Sequence, residues 1–232
     1  MHVLRKANYS QGDAGYYGPG NVCNGNFWNM VDAVAQHAGK VVTTQGVPGA
    51  TSTVTSGIPA AVAMAKTADT VVLVVGTDLA WAAEGHDATQ INFTSAQVQL
   101  MDGVIAAAAN PVVIVLLTAT PLDISAYLSN PKVGAILHAG QPSVTTLGVG
   151  DVLYGLKVPA GRMVQTIYPA SYQDEISIFD FNMYGIEGAS SELEDTAGWL
   201  LQLRPILYGG RRAPISVPSL ELARTLLLYN LC

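Results

Sequence analysis

Two apolar runs constrain this chain more than anything else in it. Residues 71–75 (VVLVV) and 112–117 (VVIVLL) are unbroken and mostly β-branched. Each is strand-sized and bounded by Gly, Pro or Thr, the pattern of a strand covered on both faces inside a parallel sheet. Between them lie residues 96–109, with Thr94 or Ser95 placed to cap a helix. A strand, a helix and a second buried strand in that order make a βαβ unit.

The same rhythm extends both ways. Helical patterns occupy residues 27–37 and 59–68, with a short strand at 40–44 between them. After the second run come a short helix at 124–128 and a third buried strand at 132–138 (KVGAILH). A helix follows at 144–154, which Ser143 is placed to cap, and then a more polar strand at 163–168. Alternation with short connections predicts an α/β fold, a doubly wound three-layer sandwich with a mostly parallel central sheet. Residues 1–185 are expected to form this sandwich. Residues 186–232 lose the rhythm and read as a divergent tail, an appendage or a poorly ordered segment, whose Leu-rich end (220–231) suits an amphipathic helix.

Composition narrows the function. Half of the residues are hydrophobic, 12% are charged and the net charge is −6. With no Lys/Arg cluster, nucleic acid is not an expected partner. No apolar run reaches the length of a membrane span, and the N-terminus has no apolar stretch of the kind a signal peptide needs. Cys23 and Cys232 define neither a disulfide framework nor a metal site. No Gly-x-Gly-x-x-Gly follows the first run and Ser143 lacks a Gly-x-Ser-x-Gly elbow, so neither a nucleotide cofactor nor a serine triad is indicated.

In a chain this poor in charge, residues 77–90 stand out. Asp78, Glu84, His86 and Asp87 fall within ten residues just past the first buried strand, where ligand chemistry gathers in open α/β sheets. Glu84 is the acid/base candidate, since an apolar cleft beside Trp81 would favour its protonated form near neutral pH. The competing reading is an exposed loop glutamate. Asp78 can hold a ligand hydroxyl or brace its loop, and Asp87 fits a loop-shaping role better than a catalytic one. Trp81 can stack on a ligand ring or cover the sheet edge. His86 reads as a solvent-facing residue without enough partners for a metal. His138, at the carboxyl end of the third strand, is either a ligand-side residue or a core-edge histidine with a satisfied hydrogen bond.

Five collinear stretches carry a resemblance. They are NYSQGDAGYYGPGNVC, ADTVVLVVGTD with AEGHD, NPVVIVLLTATPLDIS, VGAILHAGQPSVTTLGVGDVLYGLKVPAGRM and QTIYPASY. In this order they resemble the C-terminal α/β-sandwich domain of glycoside hydrolase family 3, nearest its β-xylosidase and β-glucosidase branch. The resemblance implies a glycosidase that needs no cofactor, in which a (β/α)8 barrel in cis or in trans supplies the carboxylate nucleophile. The sandwich supplies the acid/base, here Glu84, with Asp78, Trp81, Asp87 and His138 as substrate-binding positions. Met1 stands almost where the sandwich starts, so the chain is expected to hold half of an active site. The alternative is a non-catalytic carbohydrate-binding or protein-interaction module.

Three positions depart from the family pattern. Ala82 stands where related xylosidases carry the first Glu of Glu-Ala-Glu, His138 stands where a Trp is usual, and the Gly-Arg-Thr-Tyr-Arg-Phe segment expected after residue 185 is missing.

Overall fold

A computed structural model describes residues 28–142, 146–161, 163, 166–175 and 226–229. Its sheet has five strands, β1 (Val41–Thr44), β2 (Thr70–Gly76), β3 (Val112–Leu117), β4 (Val133–Gly140) and β5 (Leu226–Tyr229), in the order β1-β5-β2-β3-β4. Every pairing is parallel. Among the described residues five α-helices accompany it: α1 (Met30–Ala35), α2 (Ile58–Ala65), α3 (Ser95–Ala107), α4 (Ser125–Leu128) and α5 (Leu147–Leu153).

Side-chain alternation divides the core into two layers. Val71, Leu73 and Val75 of β2 with Ile114 and Leu116 of β3 point to one face, where α2 and α3 pack through Ile58, Ala61, Leu100, Met101 and Val104. Val72, Val74, Val113 and Val115 point to the other, against Met30 and Val34 of α1 and Leu153 of α5. A period of two on the strands meets a period near four on the helices, and the three-layer doubly wound sandwich follows. The two runs that lack polar interruption are the two strands buried along almost their whole length. β4, at the sheet edge, buries only Ile136 fully.

Local signals set the helix starts. Asn29 caps α1 in a reciprocal capping box, its side chain accepting from the amides of Val31 and Asp32 while the Asp32 carboxylate accepts from the Asn29 amide. The Thr94 hydroxyl accepts from the Gln97 amide at the start of α3. Pro59 occupies the first turn of α2, where its missing N–H costs nothing.

Two expectations need correction. Met163 and residues 166–168 are not in a strand. Gln165 and Thr166 break the apolar pattern, and Pro169 cannot donate to a ladder, so the chain enters a 3-10 helix over Ala170–Asp174 instead. The Leu-rich end of the chain does not form a helix at residues 226–229. It is β5, inserted between β1 and β2 with Leu226 level with both Val41 and Thr70. A place between two parallel strands outweighs the helix preference of leucine. The rest of the expected tail, and Ser143 with its proposed cap, lie outside the described residues.

Candidate functional site

Each strand of this sheet ends at the same edge, and the loops there are tied to one another. Gly76 closes β2 where no side chain fits, since a Cβ would run into the Leu117 carbonyl. The next amide, of Thr77, donates to that same carbonyl over 3.0 Å, and the Thr118 amide donates to Gly140 of β4. The Thr77 and Thr118 hydroxyls lie 3.0 Å apart. Thr118 gives its only proton to the Thr120 carbonyl at 2.6 Å, so Thr77 is the donor between the two hydroxyls. The ends of β2, β3 and β4 are thereby locked together.

Asp78 roots the loop that leaves β2. One carboxylate oxygen accepts from the amides of Ala80 (3.0 Å) and Trp81 (3.1 Å), and the other accepts from Ala50 (2.9 Å) in the loop before α2. Trp81 follows with its ring in the core, 5% exposed, packed with the α2–α3 layer. Its Nε1 has no hydrogen-bond partner among the described residues. Gln97, fully buried on α3, braces the same place by donating through Nε2 to the carbonyls of Ala50 (2.8 Å) and Gly76 (3.2 Å). Two carbonyl acceptors fix the orientation of that amide.

Beyond Trp81 the loop turns outward. Ala83 and His86 exchange backbone hydrogen bonds of 2.8 and 2.9 Å, closing a tight antiparallel turn with Glu84 and Gly85 at its corner. Gly85 has φ +74°, a left-handed conformation that glycine adopts without strain. The His86 ring reaches back to the Ala80 carbonyl at 3.2 Å. Glu84, His86 and Asp87 are all exposed.

The five expected site residues therefore separate. Asp78 and Trp81 form the root, one engaged by three amides and the other buried. Trp81 has no ring face open to a sugar. Glu84 and Asp87 form the tip, in solvent rather than in an apolar cleft beside Trp81. His138 lies two strands away on β4, level with Leu116 and on the sheet face that Trp81 covers. Burial lowers its pKa below the ordinary histidine value, against a smaller opposing contribution from a backbone hydrogen bond, and so favours the neutral ring. Two bracing residues were not singled out from sequence. Gln97 has a signal there, a polar residue on the stripe of Ala96, Leu100, Met101 and Val104. Asp123 sits past β3, and its carboxylate accepts from the amides of Ser125 (2.9 Å) and Ala170 (2.8 Å). Among the described residues no group of three or more His, Cys, Asp or Glu is arranged to hold a metal, and no helix is long and apolar enough to cross a membrane.

An exposed carboxylate thus stands on a backbone-closed turn at the carboxyl edge of a parallel sheet. Comparison with known proteins gives this arrangement a family. The Glycosyl hydrolase family 3 C-terminal domain matches residues 6–194. A probable exo-1,4-beta-xylosidase of Aspergillus fumigatus is 36% identical over 169 residues, covering 71% of this chain and 21% of that protein. Beta-D-xylosidase 3 of Arabidopsis thaliana is 35% identical over 131 residues, 56% of this chain and 17% of that one. Among solved structures, a GH3 exo-beta-xylosidase in complex with a xylobiose aziridine activity-based probe superposes with a TM-score of 0.64 at 26% identity, over 79% of this chain and 23% of the other. The chain thus spans about a fifth of the length of the curated relatives it matches. By the match over residues 6–194 and the sandwich that carries it, the chain belongs to glycoside hydrolase family 3, through that family's C-terminal domain.

Proposed function

We propose that this chain is the sandwich half of a retaining glycosidase site for β-xylosides or β-glucosides, with Glu84 as the acid/base. The observation that carries the reading is the contrast within one loop. Asp78 has both oxygens committed to backbone amides, whereas Glu84 stands exposed at a turn corner held by two backbone hydrogen bonds. Retention of configuration needs two carboxyl groups about 5 Å apart, one attacking the sugar carbon and one protonating the leaving oxygen. Glu84 suits the second role. The nucleophile then comes from a barrel domain in cis or in trans, and docking of that barrel would supply the apolar enclosure that the acid form of Glu84 requires. Asp87 and His138 would meet sugar hydroxyls from the sandwich side.

A second reading has its own support. Glu84 has no apolar enclosure among the described residues, and Ala82 stands where the family pattern has its first glutamate. Both fit a module that binds carbohydrate without cleaving it. Hydrolysis of nitrophenyl β-xyloside and β-glucoside separates the two. The chain alone should be inactive, should gain activity when joined to a barrel domain that bears the nucleophile, and should lose it again on Glu84→Gln. An assembled Glu84→Gln protein as active as its parent would refute the catalytic assignment. Saturable sugar binding without hydrolysis in any assembly would favour the module.

A further inference from the structure

The 3-10 helix over Ala170–Asp174 holds an arrangement that the candidate loop does not use. Tyr168 and Tyr172 stack across it, ring centroids 4.3 Å apart and planes within 11° of parallel. The four-residue spacing, with the bend at Pro169, brings both rings to one side. Tyr172 covers one face of Tyr168, which nevertheless stays 41% exposed.

This pair is fastened to the ligand edge of the sheet. The Asp123 carboxylate takes the Ala170 amide at 2.8 Å, and the Asp123 amide donates to the Ile91 carbonyl of the β2–α3 loop at 2.8 Å. A single residue therefore joins the loop past β3, the loop that carries Glu84 and the tyrosine segment. Ala170 is buried at the joint, so the stack rests on the core rather than on a free terminus.

We infer that the outer face of Tyr168 is a carbohydrate platform, a binding position for a pyranose ring separate from the acid/base corner. The inference rests on the carbohydrate reading above and adds a position to it. A β-linked xylose or glucose ring presents axial C–H groups on its faces. An aromatic ring offers negative charge on its face and attracts such groups, while exclusion of water from both surfaces adds the larger share. Stacking on Tyr172 orders the Tyr168 ring before any sugar arrives and so lowers the entropy lost on binding. The exposed carboxylates of Asp174 and Glu175, just past the stack, are acceptors for hydroxyls at the rim of such a ring.

The test is titration of the purified chain with xylobiose and xylotriose, followed by the aromatic NMR signals of tyrosine. Tyr168 signals should shift saturably, and Tyr168→Ala should bind roughly tenfold more weakly. Tyr168→Phe should bind like the parent, because the platform needs the ring and not the hydroxyl. Unchanged thermal melting of both variants separates this loss from misfolding. Tyr168→Ala should weaken binding by the same factor in the parent and in a Glu84→Gln background, which keeps the result independent of whether Glu84 is the acid/base. Parental affinity in Tyr168→Ala, or no saturable binding by the parent chain, would overturn the inference. Loss of binding in Glu84→Gln alone would move the sugar to the β2–α3 loop and overturn it too.

Discussion

The root and the tip of the β2–α3 loop differ in every physical respect although a few residues separate them. At the root, Asp78 organises three backbone amides and Trp81 fills the core. At the tip, two backbone hydrogen bonds close a turn whose side chains lie in water. Two carboxylates that look equivalent in sequence therefore do different work. One is spent on structure. The other is held in place by the backbone alone, and its own oxygens stay exposed. A rigid base that carries an exposed group is what a site shared between two domains needs.

The contrast can be broken from the root outward. Trp81→Ala should have the largest effect, about 3–5 kcal/mol of folding free energy in urea unfolding, because it empties a core position. Asp78→Ala should follow at roughly 2–3 kcal/mol, since it strands the buried Ala50 amide and frees the loop from its anchor. If Asp78→Ala cost no more than a surface substitution, the root would not be anchored as described.

His138 offers a smaller effect, read by pH. Burial lowers its folded-state pKa below the unfolded value of about 6.5. Over the window from that value downward the unfolded chain binds more protons than the folded one, so stability falls as pH falls. His138→Gln should flatten that decline in melting temperature on the acid side of neutrality and leave melting above pH 7 with no such slope from this residue. An identical slope in the variant would place the imidazole in solvent. The smallest effect belongs to the tip. Glu84→Gln should change stability by less than about 0.5 kcal/mol, and a larger loss would show that Glu84 braces the loop.

Much of this fold is legible in the sequence because its core strands are simple. The runs at 71–75 and 112–117 carry no polar residue, and the strands lie where they do. A cap at Thr94 or Ser95, of which Thr94 is the one used, and Pro59 in its helix's first turn were also legible, because each acts on its own neighbours. What sequence could not show was tertiary context. The Leu-rich segment at 226–229 carries a helical preference, and only the gap between β1 and β2 makes it a strand. Met163 and residues 166–168 come from a segment read as a strand, and they join no strand among the described residues. In the candidate site the loop itself was readable from its charge. The roles of Asp78 and Trp81 depended on Ala50 and the α2–α3 layer, partners distant in sequence.

The central claim is that Glu84 protonates a leaving group, and leaving-group dependence tests it most directly. In the chain joined to a barrel domain that bears a nucleophile, kcat/KM of Glu84→Gln should be compared with the parent on xylobiose and on 2,4-dinitrophenyl β-xyloside. An acid catalyst matters for the poor leaving group and hardly for one that departs as a stable anion. The account predicts a loss of roughly 10²–10⁴-fold on xylobiose and little loss on the dinitrophenyl substrate. Equal losses on both substrates, or none on either, would contradict it.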